Sequence, residues 1–201
     1  MYTSYTHYFK DTDMERVKKA WDVLRWTATP SDLVSFNIKC APAKDPDCKK
    51  GDIGAADPTE ETFSPVGRRV ITLCPTFFER KAAKRHLPTT PEGLKEYCKN
   101  HKKKHVDDFE TGGVVLLHEI THLDDFGVKA GFPLVQEKGK DPFFYHGTVD
   151  WNDKSTAWNA RRLKDTDTMG KTERWQNASS LSVSALEIYA MKVCGDNDIG
   201  A

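Results

Sequence analysis

Gly112-Gly113-Val114-Val115-Leu116-Leu117-His118-Glu119-Ile120-Thr121-His122 is the stretch on which the reading of this chain turns. On a helix, residues four apart stand one above the other, so His118 and His122 direct two imidazoles at one point. Glu119 lies about 100° further round the same wheel. From there its carboxylate reaches a water near the two rings more easily than it joins them as a ligand. Leu116, Leu117, Ile120 and Leu123 gather on the opposite face. That is the pattern of a helix with core behind it and a cleft in front. The plain alternative is a helix with two surface histidines and an ordinary carboxylate. It gives no reason for the apolar residues to turn away from both histidines.

Two histidines bracketing a glutamate in the order HExxH hold zinc, with the glutamate as general base. The spacing therefore predicts a zinc-dependent peptidase. Catalytic zinc takes three protein ligands and leaves one position for water, so a third ligand must come from elsewhere. The metzincin arrangement, a histidine six residues beyond His122, is absent because that place holds Val128. A gluzincin arrangement would draw on Glu137, Glu173 or Glu187, none of which sits in a supporting motif. Asp124 and Asp125 follow His122 closely, where an acid more often closes a helix or supports a ligand imidazole. His146 would complete a three-histidine site.

A second segment, His146-Gly147-Thr148-Val149-Asp150, narrows the choice. With the HExxH helix it resembles the deuterolysin, or aspzincin, family of secreted metalloendopeptidases, in which a Gly-Thr-x-Asp-x-x-Tyr-Gly segment carries the third ligand. Gly147, Thr148 and Asp150 match by position, while Asp153 and Lys154 stand where the family has Tyr and Gly. Ile71-Thr72-Leu73-Cys74-Pro75-Thr76-Phe77-Phe78 is similar to the strand and Cys-Pro-x-Phe-Phe turn that precede the zinc helix. Asn177-Ala178-Ser179-Ser180, leading into Ala185-Leu186-Glu187-Ile188-Tyr189-Ala190, is similar to the closing helix. The likeness runs over residues 70–195, and HExxH and Gly-Thr-x-Asp are its specific parts.

The resemblance implies an α+β, zincin-like fold with a small sheet edge beside the HExxH helix. It implies Zn2+ held by His118, His122 and Asp150, with Glu119 as base, in a monomer acting on protein or peptide substrates. The family Tyr donates to the developing oxyanion, so Asp153 in its place implies slow turnover unless Tyr145 or His146 substitutes. A disulfide between Cys74 and Cys98 is implied as well. Cys194 would then be unpaired or would displace Cys40 or Cys48.

Composition sets the outer bounds. A chain of 201 residues, 38% of them apolar, can bury one good core, so a single domain over residues 1–201 is expected. Thirty basic and thirty acidic side chains cancel, leaving no overall field to attract nucleic acid or an anionic membrane. No apolar run approaches the roughly 20 residues of a membrane span. The first residues lack the basic start and apolar centre of a secretory signal, and a mature chain is expected. Five cysteines, with spacings Cys40 to Cys48 and Cys74 to Cys98 that each suggest a closed loop, do not by themselves fix connectivity. Asn177-Ala178-Ser179 is a glycosylation triplet. Together these point to an extracellular protein.

Around the motifs, a helix is expected over 13–26, with Thr12 and Glu15 as capping box and Met14, Val17, Trp21 and Leu24 as its inward stripe. Alternation of Val34, Phe36 and Ile38 predicts a half-buried strand over 33–39. Residues 41–65 read as an ordered loop or a strand-poor excursion tied down by Cys40 and Cys48. A strand over 69–73 and a helical piece over 79–85 follow. Thr90-Pro91-Glu92 then opens another helix. Gly127 is expected to close the HExxH helix ahead of a loop reaching Tyr145, and Asp150 to begin a helix containing Ala157, Trp158 and Leu163. A closing helix is expected over 180–193. The basic clusters at 80–85 and 101–105, lacking interleaved aromatics, read as solvated surface.

Overall fold

The structure is a computed structural model. It describes residues 3–25, 34, 36–42, 44–45, 48, 52–57, 70–80, 86–100, 105–136, 144–151, 157–166, 173–195 and 199. In chain order the elements are α1 (Thr3–Tyr8), α2 (Met14–Leu24), β1 (Asn37–Cys40), β2 (Gly54–Asp57), β3 (Val70–Leu73), α3 (Pro75–Glu79) and α4 (Pro91–Asn100). They continue with α5 (Gly112–His122), α6 (Asp124–Ala130), β4 (Val135–Gln136), β5 (Phe144–Tyr145), α7 (Ala157–Asp165) and α8 (Ala178–Cys194). Helices and short sheets together make this an α+β chain. None of the described helices is long and apolar enough to cross a membrane.

The larger sheet has the order β1-β3-β2. β1 runs parallel to β3, with Asn37 beside Val70 and Cys40 beside Leu73, and β2 runs antiparallel, with Gly54 beside Leu73. Central β3 buries Ile71 and Thr72. β1 is outermost and exposed throughout, so the expected alternation fails where it should have been clearest: Ile38 is 49% exposed. Val34 and Phe36 do pack on the core, but from outside the strand. Of the two readings of 41–65, loop or strand-poor excursion, the described residues fit the second, because the short strand β2 lies inside it.

α8 is the frame on which α1, α4, α5 and α7 pack. One core joins Tyr5, Tyr8, Phe9, Val17, Ile71, Leu123, Phe126 and Leu181; a second joins Cys98, Val106, Phe109, Leu186, Ala190 and Met191. Flanked on several sides, α8 buries hydroxyls as well as apolar groups, and each must find a partner. Ser182 and Ser184 donate to the carbonyls of Ala178 and Leu181. Asn177 caps the helix, its Oδ1 accepting from the Ser180 amide at 2.9 Å, and is 1% exposed. The glycosylation reading of Asn177 is therefore corrected: in the folded chain its carboxamide is enclosed.

Other local readings shift for identifiable reasons. α2 starts at Met14, with Asp13 at its N-cap making no side-chain cap bond; Asp13 Oδ2 instead accepts from the Lys10 amide and braces the 3-10 turn Asp11–Asp13 ahead of the helix, in place of the expected Thr12 and Glu15 pair. Met14 is 37% exposed and not on the inward stripe. Gly127 does not end a helix; it lies within α6, and Gly131, at φ 71°, is the C-cap. Asp150 does not open a helix among the described residues, where the next one begins at Ala157.

The disulfide expectation is overturned. Cys48 bonds Cys74 and Cys98 bonds Cys194, while Cys40 is free and exposed. Sequence spacing measures loop length, whereas pairing needs Cα atoms within about 7 Å. Packing of α4 on α8 brings Cys98 to Cys194 across a separation of 96 residues.

Candidate metal centre

The centre is built on the end of α5. His122 is its last residue, and Leu123, in extended conformation and fully buried, turns the chain into α6. Leu116, Ile120 and Leu123 pack into the first core, which fixes the azimuth of α5 and so of its histidines. His118, Glu119 and Thr121 are buried too, so this helix is enclosed on more than the one face its leucines mark.

The two rings meet nearly edge to face, with centroids 4.9 Å apart and planes at 77°. Their Nε2 atoms approach to 3.2 Å. Asp150 completes the cluster from the other segment, its Oδ1 lying 3.2 Å from His118 Nε2 and its Oδ2 3.5 Å from His122 Nε2. These three side chains are the group, among the described residues, that can hold a metal ion. The Asp150 side chain is 42% exposed, so the cluster opens to solvent on that side.

Glycines bring the ligand segment so close. A Cβ on Gly147 would stand 2.0 Å from the His122 carbonyl oxygen, and one on Gly127 would stand 1.9 Å from that of His146. Backbone therefore lies on backbone between the end of α5, α6 and residues 146–147. Thr148 is then stitched down. Its amide donates to the Thr121 carbonyl at 2.9 Å, its hydroxyl meets Thr121 Oγ1 at 2.9 Å, and its carbonyl stands 2.8 Å from His122 Nδ1. With Nδ1–H donating to that carbonyl, the His122 Nε2 lone pair faces the cluster.

Charge sharpens the arrangement. Burial alone would depress the His122 imidazole, but the Asp150 carboxylate, its hydrogen bond, the charge of Glu119 and the Thr148 carbonyl together push it up to about 9. Burial would likewise raise Asp150; the charges and hydrogen bonds of both histidines outweigh it and hold the carboxyl well below the usual range. Glu119 does not join the cluster. It packs beneath β2, where a Cβ on Gly54 would be 2.8 Å from its Oε1.

The rival ligands are engaged elsewhere. His146 Nδ1 lies 2.9 Å from Asp124 Oδ1, which also accepts from the His146 amide, and Asp125 pairs with Lys129. Glu187 is fully buried in a cluster with His7, Tyr8 and Arg161; Glu173 is exposed; Glu137 lies outside the described residues. The Tyr145 hydroxyl donates to the Thr148 carbonyl at 3.1 Å. Asp153 and Lys154 lie outside the described residues. Sequence reasoning missed Thr121 and Gly54. A threonine beside the last histidine was a visible signal for the first, whereas nothing within 41–65 marked the second.

No family model, curated protein or solved structure matches this chain.

Proposed function

We propose that the chain is a zinc-dependent endopeptidase, secreted and zincin-like in fold, with His118, His122 and Asp150 as ligands and Glu119 as general base. The observation that carries this is the convergence of three ligand atoms from two separate segments beside a buried glutamate. Zinc bonds of about 2.0–2.1 Å in tetrahedral geometry place ligand atoms about 3.3 Å apart. The 3.2 Å between the two Nε2 atoms and the 3.2 Å from His118 Nε2 to Asp150 Oδ1 agree with that edge length, and the second carboxylate oxygen lies 3.5 Å from His122 Nε2. Two imidazoles and a carboxylate also suit zinc chemically, and the solvent-facing side leaves room for water. Two disulfides favour an oxidising compartment.

Zinc bound there would supply an acidified water and a polarised scissile carbonyl. Glu119 takes the water's proton on its carboxylate and passes it to the departing amine. Its place under β2 sets the base between the ligand helix and an outer strand of the sheet. An extended substrate can pair with such a strand through its main chain, which suits protein or peptide substrates.

A second reading, a secreted zinc-binding protein with little or no proteolysis, is favoured by one feature. Tyr145 donates to the Thr148 carbonyl and His146 pairs with Asp124, so both expected stand-ins for the family Tyr are engaged. One comparison separates the two: digestion of casein by wild type and by Glu119→Gln, with zinc measured in each. The peptidase reading expects about one zinc in both proteins and a loss of at least about a hundredfold in rate for the variant. Equal, negligible digestion by two zinc-loaded proteins would establish the binder instead.

A further inference from the structure

We infer that Gln176 and Asn177 are positioning residues for Asp150, a role that rests on the metal-centre reading and that no motif announces. Asp150 arrives on residues 146–151, which form neither helix nor strand apart from one isolated bridge. A ligand on such a segment keeps its place only if the backbone beneath it is held, and every enclosed N–H and C=O there needs a partner. On the side facing α5, Thr148 is held by Thr121 and His122. On the opposite side the partners come from residues 176–178.

Val149, the residue before Asp150, is tied at both of its backbone groups. Its amide donates to the Gln176 carbonyl at 3.0 Å, and its carbonyl accepts from the Ala178 amide at 3.2 Å and from Asn177 Nδ2 at 3.1 Å. Gln176, 2% exposed, aims Nε2 at three carbonyls: Pro133 at 2.8 Å, Gly147 at 3.0 Å and His146 at 3.3 Å. Two side-chain amides thus hold the carbonyls of residues 146, 147 and 149.

Asn177 links this clamp to the frame. Its Oδ1 accepts from the Ser180 amide and hydroxyl while its Nδ2 donates to Val149, so one carboxamide caps α8 and grips the ligand segment. The orientation is fixed, because a flipped amide would set donor against donor at Ser180 and acceptor against acceptor at Val149. α5, which carries the two histidines, packs on the same helix. Both halves of the cluster are therefore referenced to α8, and Asn177 is the joint for the half that carries Asp150.

Asn177→Asp separates the two tasks of that side chain: it keeps a capping oxygen and replaces the donor to Val149 with an acceptor. Asn177→Ser keeps the cap and cannot span to Val149. Gln176→Met keeps length and loses the donors, which gives an independent check should one variant misfold. Cobalt(II) is titrated into wild type, the three variants and Asp150→Ala, following visible absorption, with thermal unfolding of the metal-free proteins alongside. Wild type is expected to take up about one equivalent. The three variants are expected to bind roughly tenfold to a hundredfold more weakly with an altered band, as Asp150→Ala does more severely. Asn177→Ser should unfold within a few degrees of wild type, whereas Asn177→Asp, which buries a carboxylate against the Val149 carbonyl, should unfold earlier and is titrated well below its own midpoint. Wild-type affinity and spectrum in folded Asn177→Asp and Gln176→Met overturn the clamp alone. Failure of wild type itself to take up cobalt overturns the metal-centre reading and the clamp with it.

Discussion

The clusters around Glu187 and Asp150 both combine histidine with carboxylate, and they differ in how donors and acceptors balance. At Glu187, fully buried, each oxygen meets a donor: Oε1 faces His7 Nδ1 at 2.6 Å, and Oε2 accepts from the Tyr8 hydroxyl at 2.6 Å and from Arg161 Nη2 at 2.7 Å. Arg161 also donates to the Ile199 carbonyl at 2.6 Å, and burial together with the Glu187 charge pushes the Tyr8 phenol up. The cluster is closed and joins α1, α7 and α8. At Asp150 the carboxylate is part exposed and faces two imidazole nitrogens that also face each other. There lone pairs converge, and the balance is completed by protons or by a cation. Histidine and carboxylate thus serve as a structural tie in one place and a candidate ligand set in the other.

The contrast is tested most strongly by removing each carboxylate in turn. Glu187→Ala leaves Arg161 and Tyr8 enclosed without their acceptor, and urea unfolding should show a loss of about 3–5 kcal/mol while the folded fraction still takes up zinc. Asp150→Ala should cost the metal-free protein less, about 1–2 kcal/mol near pH 7, because the carboxylate is part exposed and His122 can shed its proton, yet zinc uptake should disappear. Equal destabilisation by the two substitutions, measured without metal, would erase the distinction.

A smaller effect is expected where the metal centre rests on backbone. Gly147→Ala drives a methyl into the His122 carbonyl and should cost about 2–3 kcal/mol, with weakened zinc binding. Gly113→Ala, in α5 but with only Thr111 Oγ1 nearby at 3.5 Å, should instead gain about 0.5–1 kcal/mol. If both substitutions move stability the same way, close approach is not what holds residues 146–148 in place.

A further expected effect is one of pH. In the metal-free protein His122 is raised to about 9, so below that pH a proton must leave before the ring can bind a cation, whereas Asp150, held low, is already ionised. Zinc affinity should therefore fall as pH drops, about tenfold per unit between pH 8 and 6 for one displaced proton. Competition titrations against a chelator of known pH dependence would show it, and a flat profile would mean that His122 carries no such proton.

Legibility in the sequence followed the range of the interaction. The HExxH helix was expected where α5 stands, and the helix opened by Thr90-Pro91 begins at Pro91, with Thr90 Oγ1 accepting from the Gly93 amide. Caps and i,i+4 pairs lie within a turn of each other, so local sequence carries their signal, although Thr12–Glu15 and Gly127 show packing overriding it. The helix after His122 was hidden by Gly127, which read as a terminator. Its missing side chain answers to His146, a residue packed against it from a distant part of the chain. The half-buried strand failed in the same way, since which strand of a sheet is outermost is not written in its own residues.

The sequence alone determined that two imidazoles would stand a turn apart on one helix face with the Glu119 carboxylate beside them, because helical geometry fixes where residues four apart must point. Tertiary packing decided that Asp150 joins them while Glu187 and His146 turn to other partners. It also decided that Cys98 reaches Cys194 and that Asn177 is enclosed at a helix cap. Those outcomes depend on which surfaces of α5, α6 and α8 close on one another, a sum of many weak contacts over the whole chain that no local spacing encodes.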